Sequence, residues 1–322
     1  MKSNAPTTVA SVIPVTAKLA CADTKTELGT AFTSSLEVPA ETEPHLCEAL
    51  RHTLDHPGSL VRARLVYEMA QVYGLSDSRS KNLAVAIEYF HTASLLFDDL
   101  PCMDDAMERR GEPCVHRIQG EAATVLAALG LVSRAYALLW QGLVGLPTDR
   151  QSLAGAYVEN CLGVDGLLNG QSEDLHYASL PKNRPSPHKV ATGKTVSLIR
   201  LSLVLPALLG GAQPGEVQLL ERLAAFWGLS YQILDDLKDV FQQPGQTGKT
   251  AARDKSLNRP NIALAIGTNE SLLRLERLLV LGDQVLARLV ARLPTLVYLT
   301  ELRSRFQEEI VGIRAANPSL AQ

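Results

Sequence analysis

Apolar residues recur at three- and four-residue spacings along most of this 322-residue chain. The spacing predicts helices over residues 44–55, 60–73, 80–98, 120–143, 150–170, 187–210, 214–237, 260–266 and 270–313. Between them stand turn-forming runs: "DHPGS" at 55–59, "LPTDR" at 146–150, "LPKNRPSP" at 180–187, "GGAQPG" at 210–215 and "QQPGQTGK" at 242–249. Alternating β-branched runs are scarce, so strands have little support. No glycine-rich turn follows a strand, no fixed-period repeat stands out, and no linker halves the chain. The pattern predicts an all-α protein, one large bundle of ten or more helices over residues 29–322, behind a loose N-terminal arm at 1–28. Residues 198–210 and the first part of 120–143 are apolar on nearly every side, which places them centrally.

Composition narrows the function classes. Nearly half the residues, 46%, are apolar, and 31 basic against 34 acidic residues give a formal charge of −3. That balance leaves no electrostatic footprint for nucleic acid or an anionic membrane. Five cysteines, at 21, 47, 102, 114 and 161, form no CxxC pair. A disulfide framework or structural zinc site is not expected, and a reducing, cytoplasmic setting is. No charge-free apolar stretch is long enough to span a bilayer, so no transmembrane segment is expected.

Against this apolar background two acidic clusters stand out. The first lies in "LLFDDLPCMDDAMERRG" (95–111) and holds Asp98, Asp99, Asp104 and Asp105. The second lies in "YQILDDLKDVF" (231–241) and holds Asp235, Asp236 and Asp239. Asp235 and Asp239 are four apart, so both carboxylates share one helical face. Asp98 and Asp104 share no face of a straight helix, but Pro101 is expected to break the helix and loop Asp104 back. Oxygen-only clusters suit a hard cation such as Mg²⁺, which is typically held by one or two carboxylates plus phosphate oxygens. Cations suited to phosphate lie nearby: Arg109, Arg110, Lys194 in "TGKT", and Lys249 and Lys255 in "GKTAARDKSLNRP". Singly each cluster reads as a solvated helix end; two of them, each after an apolar helix, point to a site.

Those segments resemble, in content and order, the trans-isoprenyl diphosphate synthases, which include the farnesyl and geranylgeranyl diphosphate synthases. The likeness runs from about residue 45 to 261. "HTASLLFDDLPCMDDAMERRGEP" is similar to the family's first aspartate motif and "YQILDDLKD" to the second, with "NGQSEDL", "TGKT" and "GKTAARD" in family order. The resemblance implies a helical bundle around a deep cavity, the two motifs facing each other across its mouth. It implies a prenyltransferase in which about three Mg²⁺ ions bridge those motifs to an allylic diphosphate. Asp98, Asp99 or Asp104, and Asp235 would be the main metal ligands, with Asp236 and Asp239 beside them. Asp98, Asp99, Asp235 and Lys194 would carry catalysis. Arg109, Lys194, Thr195, Gln232, Lys249 and Lys255 would hold the allylic diphosphate. Arg62, His91 and Arg110, with a weakened contribution at Ser59, would face isopentenyl diphosphate. The family also implies a homodimer.

Two departures bear on this reading. Where the family carries Gly-Gly-Lys-Arg, this chain has Ser59 and Leu60, so two cations for isopentenyl diphosphate are missing, with Arg64 a candidate replacement. Ala128-Leu129 stand where Gly-Asp is usual. The alternatives are therefore a class I terpene cyclase or lyase acting on one allylic diphosphate, and a non-catalytic partner subunit. For chain length, residues one turn before Asp98 are expected to meet the growing tail. Ala93 and Ser94 are small, so the floor should lie deeper, at Tyr89 and Phe90, giving a C20 product.

Overall fold

A computed structural model describes residues 15–180, 186–241 and 257–317. Helix α1 spans Val15–Ser34, α2 Pro44–Asp55, α3 Val61–Val72 and α4 Asp77–Asp98. A two-stranded hairpin, β1 (Glu108–Arg109) and β2 (Glu112–Pro113), leads to α5 (Val115–Gln119), α6 (Glu121–Leu143), α7 (Thr148–Leu162) and α8 (Leu167–Leu175). Then follow α9 (Pro187–Ala191), α10 (Ser197–Gly210), α11 (Pro214–Phe241), α12 (Ile262–Ile266), α13 (Thr268–Arg292) and α14 (Leu299–Ala316). The all-α expectation holds.

Three boundaries differ from the periodicity, each for a local reason. Helix α1 begins inside the stretch read as a loose arm; Leu28 and Phe32 are buried, and Phe32 meets the Tyr89 ring edge-on. Residues 1–14 lie outside the described residues. The run 150–170 is two helices, because Gly163 ends α7 and its N–H closes on Glu159 O at 2.7 Å. The run 270–313 breaks at Pro294, which cannot continue a helix interior.

The core explains the apolar all-round helices. Helix α4 packs most extensively on α6, and also on α3 and α1. A second apolar cluster joins α10 and α11 to α13 through Leu203, Leu223, Trp227 and Leu289. A third joins α11 to α12, α13 and α14 through Ile233, Leu237, Ile262, Leu275 and Ile310. By length and composition α6 and the run Pro187–Gly210 also pass for membrane spans. Each carries charge inside it, Arg134 in one and Lys194 and Arg200 in the other, and 67% of the second window is buried in the core.

Candidate active site

Helices α4, α8, α9, α10 and α11 enclose a cavity of about 580 Å³. On α4, His91, Ser94, Leu95 and Asp98 line it, the seven-, four- and three-residue spacings of one helical face. Opposite, Tyr231, Gln232, Asp235 and Asp239 line it from α11. Leu167, Leu168, Val190 and Leu198 add apolar wall beside its charged groups.

The first acidic motif folds back at Pro101 as expected. The N–H of Asp104 donates to Asp98 O at 2.9 Å, and that of Ala106 to Asp99 O at 3.1 Å. Asp98 and Asp104 both reach the cavity. The Asp98 carboxyl is pushed up to about 6, chiefly by burial, against the pull of Lys194 and with a further push from Asp104. Gln171 on α8 donates to its Oδ1 at 2.6 Å.

Asp99 goes elsewhere, which corrects its assignment as a metal ligand. It is 3% exposed, does not line the cavity, and is held in an ion pair by the Arg109 guanidinium, whose Nε lies 2.9 Å from Oδ1. The hairpin explains the geometry. Arg110 and Gly111 form its two-residue turn, both with positive φ (59° and 85°), the conformation a tight hairpin favours. Arg109 ends the first strand and Arg110 opens the left-handed turn, so their side chains leave in different directions. Arg109 faces Asp99 and the cavity, while Arg110 reaches back to His56 O at 3.2 Å.

Lys194 owes its placement to a π-turn. Thr192–Val196 is a single wide turn between α9 and α10, the kind of insertion that recurs at functional sites. Gly170 of α8 and Gly193 of this turn touch backbone to backbone: a Cβ on Gly170 would stand 2.3 Å from Lys194 N. The Lys194 ammonium meets Asp174 at 2.7 Å. Burial works against its charge, but Asp174, Asp98 and Asp104 together hold its pKa above the ordinary lysine value.

On α11 the two adjacent aspartates part company. Asp235 is exposed on the cavity wall with Asp239 one turn on. Asp236 borders the cavity but is 1% exposed, with both carboxylate oxygens engaged inside the protein. Its Oδ1 accepts from Gln232 Nε2 at 2.7 Å, its Oδ2 from Ile262 N–H at 2.6 Å. The Thr195 hydroxyl in turn donates to Gln232 Oε1. Thr195 and Gln232 line the cavity, tied to each other. Lys249 and Lys255 lie outside the described residues.

Of the second-substrate set, Arg62 and His91 reach the cavity and meet each other at 3.0 Å, Arg62 Nη1 to His91 Nε2. Arg110 does not line it. Ser59 and Leu60 face a separate small pocket with Arg64. Arg64 is not a replacement cation there, because its guanidinium donates to Glu301 at 3.1 and 3.3 Å.

The chain-length set also divides. Ser94 lines the cavity, whereas Ala93 is 1% exposed in the core. Tyr89 and Phe90 are not among the residues that line the cavity. The Tyr89 hydroxyl donates to Phe32 O, away from the cavity, and the Phe90 ring meets Tyr136 of α6 edge-on at 5.0 Å. At 100° per residue Tyr89, nine residues before Asp98, turns to the opposite side of α4, whereas Phe90, eight before, stays within about 80° of Asp98 and one turn below Ser94.

Gln171 and Asp174, in the "NGQSEDL" quoted above, received no role from sequence, although their three-residue spacing on one helical face was a usable signal. Arg259, one of the cations beside Lys249 and Lys255, also received no specific role; it donates to Asp104 at 3.1 Å and to Met103 O at 2.9 Å. Its approach across more than 150 residues has no sequence signature.

The donors on the two walls, Asp98 and Asp104 against Asp235 and Asp239, are all carboxylate oxygens, which fits a hard divalent cation. Among the described residues no three candidate ligands converge on one point. A cation here therefore needs further oxygens from water or a bound anion, as Mg²⁺ commonly does.

An all-α bundle with facing acidic walls around one partly apolar cavity has the architecture of the isoprenoid synthases. The polyprenyl synthetase family matches residues 43–279, and the chain belongs to it. It is 33% identical over 231 residues to a chloroplastic geranylgeranyl pyrophosphate synthase of Capsicum annuum, covering 71% of this chain and 63% of that protein. It is 34% identical over 214 residues to a geranylgeranyl diphosphate synthase of Pseudescherichia vulneris, covering 66% and 69%. The chain thus spans somewhat under two thirds of the length of the plant relative. In fold it is similar to a Helicobacter pylori geranyltransferase solved with magnesium and isoprenyl diphosphate (TM-score 0.79, 22% identity, covering 93% of this chain and 99% of that one). It is similar too to an FPP/GFPP synthase of Zymomonas mobilis (TM-score 0.77, 23% identity, 92% and 100%).

Proposed function

We propose that this chain is a magnesium-dependent prenyltransferase that joins an allylic diphosphate to isopentenyl diphosphate, with a C20 product. The observation that carries this reading is one cavity with carboxylates on facing walls, a lysine between them, and apolar sides. The relatives named above support the substrate class. Retention of Asp235 and Asp239 on the cavity wall favours this over a cyclase acting on a single substrate.

Asp98 and Asp104 on one wall, and Asp235 and Asp239 on the other, would hold the magnesium, about three ions with diphosphate bound. When bound, the metal supplies charge stabilisation to the departing diphosphate. Lys194 and Arg109 present N–H donors to the same group. The C–O bond breaks, its electron pair leaves with diphosphate, and Leu95, Leu168 and Leu198 keep water from the allylic cation. The double bond of isopentenyl diphosphate, held near Arg62 and His91, attacks that cation, and the released diphosphate takes the proton that is lost.

A homodimer is part of the same proposal. Leu126, Leu129, Tyr136 and Trp140 are about half exposed or more on α6, at helical spacings that form one apolar face. Leu129, where the family usually has Asp, makes that face more apolar.

The test is turnover of each allylic diphosphate with isopentenyl diphosphate, with magnesium and with excess chelator, for the native chain and for Asp98→Ala and Asp235→Ala. Loss of at least about a hundredfold in all three deprived cases is expected. Full turnover in chelator or in either variant contradicts the reading.

A further inference from the structure

Glu88 is an acid with no assigned role, and its surroundings are unusual. It is 2% exposed on α4 and does not line the cavity, so it touches no reacting atom. Burial pushes its carboxyl up, while Arg62, the N–H of Ala63 and Arg110 pull the other way. It stands three residues before His91, on adjoining turns of α4.

The first turn of α3 explains what it does. A helix start leaves N–H groups without intrahelical partners, and a Ser, Thr, Asp or Asn at the cap usually takes one. The cap of α3 is Leu60, with a left-handed φ of 52° and no side-chain hydrogen bond. Glu88 supplies the missing acceptor from another helix: its Oε2 takes the Ala63 N–H at 2.8 Å. Arg62, the residue before Ala63, is thereby fixed against α4, where its Nη1 meets His91 Nε2 at 3.0 Å. The Arg62 Nε is buried without a hydrogen-bond partner, a donor still unused beside the cavity.

We propose that Glu88 is the positioning residue of the second-substrate subsite: it caps α3 from α4 and holds Arg62 against His91, so that this pair meets the anion of the acceptor substrate. This rests on the prenyltransferase reading. The field of Glu88 also offsets the repulsion between Arg62 and Arg110 from a position off the cavity wall.

The experiment compares the native chain with Glu88→Ala and Glu88→Gln. In Glu88→Ala the KM for isopentenyl diphosphate should rise about tenfold, the scale of one lost cap contact. The KM for the allylic diphosphate should stay within about twofold, well under that scale. Glu88→Gln keeps an acceptor for Ala63 and should recover most of the lost affinity. Equal losses toward both substrates, or an unchanged Glu88→Ala enzyme, overturn the proposal. Two readouts stand apart from activity: amide exchange over residues 61–64 and the His91 ring signal by NMR. Both should change in Glu88→Ala and return toward native in Glu88→Gln. If the native chain condenses nothing, the prenyltransferase reading fails by itself. Glu88 is then judged on these two readouts, and native-like values in Glu88→Ala overturn its positioning role.

Discussion

The Asp236 carboxylate accepts the Ile262 N–H at 2.6 Å, tying the second acidic motif to a stretch of chain 26 residues on. Asn261 tightens the same junction: its side chain caps α12 by accepting from Leu264 N–H, and its amide donates to Asp236 O at 3.3 Å. Through this junction Arg259 is brought to Asp104, closing one wall of the site on the other.

The adjacent aspartates should therefore fail in different ways. Asp236→Ala leaves the Ile262 N–H and the Gln232 amide without their acceptor in a buried place, at a cost of about 3 kcal/mol. Asp235→Ala, at an exposed position, should change stability by less than about 0.5 kcal/mol while removing turnover. Urea unfolding measured beside activity checks this. Equal stability of the two variants would refute the division.

Product length should respond to Ser94 and not to Ala93. Ser94→Tyr adds a ring on the cavity face and should shorten the main product to C15. Ala93→Tyr puts the same ring into the packed core, where overpacking costs typically about 1–3 kcal/mol. It should lower stability without the clean product shift. Mass analysis of extracted products and a thermal melt of each variant decide between them.

Restoring the family's cations at 59 and 60 should not help. Leu60 is 2% exposed and faces the separate pocket, so Leu60→Arg buries an unpaired guanidinium at a cost of several kcal/mol. Arg64→Ala should leave that KM unchanged and lower stability by about 1 kcal/mol or less, because Arg64 serves a partly exposed ion pair with Glu301. A KM raised fivefold or more by Arg64→Ala, a change of about 1 kcal/mol in binding, would show that it does face the substrate.

The apolar face of α6 should prove to be an interface between two copies. Trp140 is 63% exposed, and Trp140→Arg places charge at the C-terminal end of that face. Light scattering at micromolar concentration should report a dimer for the native chain and a smaller species for the variant. A native monomer contradicts the proposal.

Periodicity found the helices because their burial is one-sided or complete, and spacing alone put Asp235 and Asp239 on one face. Pro101 was enough to foresee that Asp104 returns to Asp98. What escaped is fixed by tertiary contacts. Neighbours in sequence, Asp98 and Asp99 or Asp235 and Asp236, are alike in type but turn about 100° apart on a helix. Only the packing tells which of each pair is left open to the cavity and which is held by protein donors. The hairpin that splits Arg109 from Arg110 is two residues per strand, too short for an alternation signal. Tyr89 turns from the cavity because counting turns backward from Asp98 does not by itself say which face each turn presents.

The most direct measurement of the central claim is mass identification of what the purified chain makes from isopentenyl diphosphate with the C5, C10 and C15 allylic diphosphates in turn, with magnesium present. The account predicts chain elongation ending at a C20 diphosphate, lost in Asp98→Ala. Allylic diphosphate consumed to a hydrocarbon or alcohol without elongation, or no consumption at all, contradicts it.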